Sequence, residues 1–268
     1  MLKDITIGQF FPGTSPLHRM DSRVKLLLTV AFIVMLFLAG NIYSLSVGIA
    51  FTFLSYIISE IPVRMILKSL KPIVPIIIFT SILNLFFVRT GDVYWEWKFL
   101  KITADGVHIA VFMSIRIICL IIGSSLLTYT TSPIDLTDGL EKLLSPLKKI
   151  RVPVHELAMM MTIALRFIPT LIEETDKIMS AQKARGADME TGSVFKRARA
   201  LVPILIPLFV SSFRRAEELA LAMECRCYHG GEGRTRMKQL KMHLVDLIAA
   251  VIVAAFIAGV VVVNHMAA

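Results

Sequence analysis

The chain has 268 residues, 56% of them hydrophobic, a mean hydropathy of +0.72 and a formal net charge of +9. It is too apolar for a soluble domain of this size, and three cysteines, two of them nearly adjacent, exclude a secreted disulfide scaffold. The positive charge does not point to nucleic acid, because no basic patch is interleaved with aromatics; in a membrane protein Lys and Arg gather in the cytoplasmic loops.

Residues 1–22 are polar and mixed, and apolar runs long enough to cross a bilayer follow at about 24–40, 42–59, 73–88, 107–129 and 244–263. The first run imitates a signal peptide, with Leu38-Ala39-Gly40 as a poor cleavage site. A second span starts almost at once, so both are read as retained. The loop 60–72 carries Arg64, Lys68 and Lys71 against Glu60. The loop 89–106 is charge-balanced and holds Trp95 and Trp97, which suit a membrane–water interface. Arg116 falls near the middle of the fourth span, where a charge is costly. It is a functional candidate, or else a partner for a neighbouring helix's carbonyls.

From Thr131 to His243 there are 18 Lys and Arg against 13 Asp and Glu. Thr131-Ser132-Pro133 supplies the cap and first turn of a helix over 134–148, which Pro146 ends or bends. Two more apolar stretches follow, 157–172 and 200–213, interrupted by Arg166 and Pro169 and by Pro203 and Pro207. If both crossed, Lys177, Lys183, Arg185, Lys196, Arg197 and Arg199 would lie outside, against the charge rule. They are read as amphipathic helices lying on or dipping into the inner face. In the first, Leu157, Met160, Ala164, Ile168, Leu171 and Ile178 form the apolar stripe, and Arg166, Glu173, Lys177 and Ser180 the polar one. In the last span, Ala250, Ala254 and Ala258 are spaced for close packing within the bundle. The charge distribution places the N-terminus and 131–243 in the cytoplasm and the C-terminus outside.

Each amphipathic stretch runs from apolar to polar and ends in an arginine between small residues: Ala184-Arg185-Gly186, then Cys225-Arg226-Cys227, 41 positions later. Gly186 is a natural helix stop, and His229-Gly230-Gly231 another. A cation near a helix C-terminus gains about 0.3–1 kcal/mol from the helix dipole, which explains one such arginine. Two, each clear of bulky neighbours, suit a partner with two equivalent grooves, because a guanidinium fork on a slim tip can bind a carboxylate bidentately.

These motifs give the chain a family resemblance. The segment GQFFPGTSPLHRMDSRVKLL (8–27) is similar to the N-terminal signature of the transmembrane T components of energy-coupling factor (ECF) transporters, relatives of ABC importers that take up vitamins and metals. Ser15, Leu17, His18, Asp21, Arg23 and Lys25 fit the signature; Met20 and Ser22 depart from it. AQKARGAD (181–188) resembles the family's first Ala-Arg-Gly motif. AMECRCYHGG resembles the second more loosely, with Cys225 and Cys227 in place of Ala and Gly. The resemblance implies a scaffold that holds a substrate-binding S component in the membrane. Its long crossed helices press the two arginine motifs into grooves on two ECF ATPase subunits. Carried over by position, Arg185 and Arg226 anchor the ATPases, with Ala184, Gly186, Cys225 and Cys227 giving clearance. Met159, Met160 and Met161 form an apolar face that could meet the S component, or equally a core or lipid contact.

The expectation is therefore an all-α integral membrane protein with about five transmembrane helices. Long amphipathic cytoplasmic coupling helices lie between the fourth and last spans. The N-terminal segment and first four spans occupy 1–130, the coupling region 131–243 and the last span 244–268. The expected place is the bacterial plasma membrane, and the expected partners are the two ATPases, the S component and lipid, with no nucleic acid. ATP belongs on the partner subunits. The chain itself needs no cofactor, metal or catalytic residue, since no lysine follows a glycine as a phosphate loop requires. Cys225, Cys227 and His229 lack a fourth metal ligand nearby. Two other readings compete. An ordinary ABC-importer permease would carry one coupling loop rather than two arginine tips. A membrane lipid enzyme would cluster His, Asp or Glu near one face, and the six histidines here are scattered.

Overall fold

A computed structural model describes residues 10–88, 90, 93–97, 100–187, 193–231 and 240–266. In chain order the elements are α1 (Pro16–Arg19), α2 (Ser22–Leu38), α3 (Ile42–Ser59), α4 (Val63–Leu70), α5 (Val74–Phe87), β1 (Val93–Trp97), β2 (Leu100–Thr103), α6 (Ala104–Thr130), α7 (Pro133–Leu143), α8 (Val154–Ala184), α9 (Val194–Glu224) and α10 (Leu244–Met266). The chain is an all-α membrane protein apart from the antiparallel β1–β2 hairpin. Among the described residues α3, α6, α8 and α10 are long and apolar enough to cross a membrane. The pair α4 and α5, bent by 55°, makes a fifth if it is one span. The expected span at 73–88 is thus only the second arm of a bent pair. The expected span at 24–40 is α2, whose 17 residues measure roughly 25 Å at 1.5 Å per residue. The loop expected at 89–106 contains the hairpin. Trp95 and Trp97 fall on β1, but their side chains lie outside what is described, as do Lys3, Arg89, Asp92, Lys98 and Gly233 and the side chains of Lys196 and Arg197.

By contacts the chain divides into two compact units, Gly8–Gly139 with Leu240–Ala268 and, separately, Leu140–Gln239. In the first unit polar side chains define the helix ends. Asp21 caps α2, its carboxylate accepting the Arg23 backbone N–H at 2.9 Å. The Thr103 hydroxyl accepts from the Gly106 N–H at the head of α6 and donates to the Val88 carbonyl behind it. Ser132 caps α7, as the sequence suggested, its hydroxyl accepting the Asp135 N–H at 3.1 Å and donating to the Asp135 carboxylate at 2.8 Å, and α7 ends at Leu143, ahead of Pro146. Asp246, three residues into α10, reaches back to the His243 N–H at 2.7 Å.

Helices α2, α3, α6 and α10 pack around Phe32, Met35, Leu36, Leu45, Phe112, Cys119 and Val260. Close approach needs glycine twice. A Cβ on Gly48 would stand 2.6 Å from a Leu36 methyl, and one on Gly123 would overlap the Phe32 ring. Helix α10 packs through Val253, Phe256 and Val260, whereas Ala254 and Ala258, expected to face the bundle, are exposed. Larger side chains win this face because bulk apolar contact outweighs the close approach that small residues permit.

The second unit holds a 3₁₀ turn (Ser145–Ile150) and the two long helices α8 and α9, of 31 residues each. Pro169, Pro203 and Pro207, read from sequence as interruptions, lie inside continuous helices. The side-chain amide of Gln182 donates at 3.4 Å to the carbonyl of Pro203. The apolar stripe of α8, read from sequence as facing the membrane, is exposed at Leu157, Met160 and Ala164. The helix instead turns Val154 and Ala158 inward.

Candidate functional site

Helix α8 ends in a glycine-terminated turn. The N–H of Gly186 bonds the Lys183 carbonyl at 3.0 Å, that of Ala187 bonds the Gln182 carbonyl at 3.0 Å, and Gly186 takes φ +84°. This is the Schellman pattern, in which two crossed bonds satisfy the last carbonyls while one residue turns left-handed. Helix α9 repeats it. The N–H of Cys227 bonds Glu224 at 2.8 Å, that of Tyr228 bonds Met223 at 3.0 Å, and Cys227 takes φ +56°. Arg185 and Arg226 therefore occupy the same position in two equivalent stops, each immediately before the left-handed residue. The second stop comes three residues earlier than the Gly230-Gly231 pair suggested. Cysteine bears there a conformation that Gly186 adopts freely.

Ala184, Arg185, Gly186, Cys225, Arg226 and Cys227 are all exposed. The exposed guanidinium forks and small flanks present two donor-rich tips. An ion pair joins the two helices: an Arg215 Nη donates to a Glu174 carboxylate oxygen at 2.9 Å, and the same guanidinium lies 5.8 Å from the Phe167 ring centre. Glu174 precedes Arg185 by eleven positions, and Arg215 precedes Arg226 by eleven. At 1.5 Å per residue each arginine stands roughly 16 Å along its helix from the brace. The contacts Glu174–Arg215 and Gln182–Pro203 run in opposite sequence directions, so the helices are antiparallel and the tips leave the brace at opposite ends. Met160 (57% exposed) and Met161 (47%) lie on the outward face of α8, and Met159 is half-buried.

Arg116 belongs to a different structure. It donates to the carbonyl of Ala39, the C-cap of α2, and lies 4.6 Å from the Phe112 ring centre. Beside it, the Asn264 side chain accepts from the Gly40 N–H at 3.2 Å and donates to the Leu38 carbonyl. A cation at a helix C-terminus is favoured by the dipole. The apparent mid-span charge therefore caps a helix shorter than its own.

The N-terminal signature forms a clasp at the other end of α2. The Ser15 hydroxyl and His18 Nδ1 are 2.6 Å apart, and His18 Nε2 is 3.0 Å from the Phe11 carbonyl. Lys25 Nζ donates to the Thr130 carbonyl (2.9 Å), Thr131 Oγ1 (3.2 Å) and the His18 carbonyl (3.4 Å). Arg23 pairs with Asp21 at 2.7 Å and reaches the Leu240 carbonyl. Burial pushes the Asp21 carboxyl upward, but hydrogen bonds from the Arg23 side chain and backbone outweigh it and hold the group below its ordinary value. Sequence reasoning missed Asp246, which accepts the Asp21 N–H at 2.9 Å, and Asn264. Their signal was a polar residue at each end of a strongly apolar span.

The sequence matches the family model described as Cobalt transport protein, CbiQ, over residues 13–237. The chain belongs to the CbiQ family. Among curated proteins it is similar to the energy-coupling factor transporter transmembrane protein EcfT of Ruminiclostridium cellulolyticum, 52% identical over 266 residues and 99% of each chain. It is also similar to the EcfT of Clostridium kluyveri (55% over 251 residues, 93% of each) and of Bacillus subtilis (48% over 240 residues, 90% of this chain and 91% of the other). The CbiQ match contains both arginine stops, the brace and most of the N-terminal clasp. The family bears out the resemblance drawn from the signature and the two motifs, and makes the chain a membrane-spanning transporter component.

Proposed function

We propose that this chain is the non-catalytic coupling subunit of an ECF-type importer. It transmits ATP hydrolysis by two ATPase subunits to a membrane-embedded S component that carries a vitamin or other micronutrient. The observation that carries this reading is the equivalence of the two arginines. Each closes a 31-residue helix at the same position of the same turn, at the same distance along its helix from the Glu174–Arg215 brace. Two equal tips match two equal grooves. Arg185 and Arg226 dock by bidentate bonds to acidic groups in those grooves, and Ala184, Gly186, Cys225 and Cys227 keep the approach clear. ATP stays on the partners.

Exposed Met160 and Met161, with half-buried Met159 beside them, meet the S component; flexible methionines suit a surface that must adapt to more than one partner. Loop charge favours a bacterial plasma membrane topology with the N-terminus and both tips cytoplasmic and the C-terminus outside. On this reading 131–243 is the coupling region, between the first four spans and the last. The test is purification of the tagged chain in mild detergent beside an Arg185→Glu/Arg226→Glu variant. Wild type should bring down two ATPases and a small membrane protein, and the variant should lose the ATPases while staying monodisperse. ATPases retained by the variant would move the coupling site elsewhere.

A further inference from the structure

The half of the bundle where α2 begins is hollow. A cavity of about 380 Å³ lies among α1, α2, α3, α6 and α10, below the Phe32–Phe51–Phe256 cluster that fills the other half. Polar side chains on its wall are almost all engaged. Lys25 Nζ has its three acceptors, and Thr29, Thr52 and Thr130 each donate to the carbonyl four residues back in their own helix. Ser55 is the remaining hydroxyl, and the rest of the wall is apolar apart from Lys25, so the cavity favours hydrocarbon over water. It is more than twice the roughly 150 Å³ that holds a benzene in a dry engineered cavity.

The large exposed side chains on its wall are Leu54 and Ile58 of α3 and Ile248 and Ile252 of α10. These two helices touch farther along, where the Phe51 and Phe256 rings are 5.1 Å apart, and the cavity wall passes to the surface between them nearer Ser59 and Leu244. Between these two membrane-crossing helices the mouth opens sideways, towards the hydrocarbon.

We propose that this cavity is a seat for one acyl chain of a membrane phospholipid, entering between α3 and α10. The occupant completes a half-packed bundle. The inference does not depend on the coupling reading above.

The test reconstitutes the full chain in phosphatidylethanolamine–phosphatidylglycerol vesicles containing a trace phospholipid with a photoreactive diazirine on its acyl chain. After illumination, labelled residues are mapped by proteolysis and mass spectrometry. Bulk lipid labels only outward positions such as Val30, Phe53 and Val251. The proposal expects label also at the buried wall residues Thr52 and Leu126. It expects Ala249→Phe, which fills the cavity, to cut that wall label at least tenfold while the outward label stays unchanged. If Ala249→Phe does not fold, Ser55→Leu serves the same comparison. Label confined to outward positions overturns the proposal, as does wall label indifferent to both fillings. A parallel labelling in native membranes checks the occupant: wall label present in vesicles but absent there would assign the cavity to a partner protein's side chain and equally overturn it.

Discussion

The backbone N–H of Asp21 donates to Asp246 Oδ1 at 2.9 Å across 225 positions of sequence. Asp246 Oδ2 accepts from His243 in the same moment, so one carboxylate, 1% exposed, holds the first turn of α10 and the entry to α2 together. Replacing it by alanine strands two donors at a buried junction. Each such orphan costs about 1–3 kcal/mol. Asp246→Ala is expected to lower the thermal midpoint of the purified chain substantially in a fluorescence or size-exclusion melt. Asp246→Asn, which keeps one acceptor oxygen, should lower it less.

Asp21 sets a pH dependence. Its folded carboxyl titrates below its ordinary value of 3.8, so its contribution is fully present above that value and is lost as pH falls through the lower, folded one. Melts between pH 6 and pH 3 should show wild type losing stability at the acid end. Asp21→Asn should start lower and fall less steeply over the same window.

Cys227 carries a left-handed conformation that costs an ordinary side chain about 1–2 kcal/mol, part of which glycine gives back as unfolded-state entropy. Cys227→Gly should raise stability by about 0.5–1 kcal/mol and keep ATPase capture intact. Gly186→Ala, at φ +84° with open space around it, should lower stability by a similar amount. Opposite signs for the two substitutions, read by thermal melts, test the equivalence of the two stops.

Arg116 caps α2, and its removal should read as a stability defect. Arg116→Leu leaves the Ala39 carbonyl without this donor, at a cost of about 1–3 kcal/mol. Arg116→Lys keeps the charge and loses the planar stacking on Phe112. Both should melt earlier than wild type while co-purifying the same partners in the same ratio. Loss of a partner at unchanged melting temperature would return Arg116 to the functional candidates.

The Glu174–Arg215 pair is partly exposed, with side chains 25% and 29% accessible, so its contribution to stability is about 0.5–1 kcal/mol or less. Its expected effect is on coupling. Glu174→Arg or Arg215→Glu alone should leave ATPases bound but reduce solute uptake per ATP hydrolysed in reconstituted vesicles. The double exchange should restore part of it, short of wild type because the contact with Phe167 is lost.

Where chemistry is local, the sequence was readable. Apolar runs located α3, α6 and α10, Thr131-Ser132-Pro133 announced α7, and Arg185 and Arg226 stood out by their small neighbours. Where a long-range contact overrides a local rule, it was not. Pro169, Pro203 and Pro207 looked like breaks because proline removes a helical hydrogen bond, yet α8 and α9 run on through them. The α8 stripe was read as facing the membrane's inner face, and it is exposed on the chain; periodicity tells which residues share a face, not what covers it. Arg116 was visible as an anomaly; its meaning required knowing where α2 ends. Asp246 looked like the polar margin of a span, and only the fold shows that it also bonds the start of another helix.

Equal arms on either side of Glu174 and Arg215 have a mechanical consequence. Arg185 and Arg226 lie on opposite sides of that contact and so have equal moment arms about it. Equal and opposite forces at the two ends cancel as translation and add as torque. On the coupling reading proposed above, paired pushes from two ATPases therefore turn the helix pair rather than shift it.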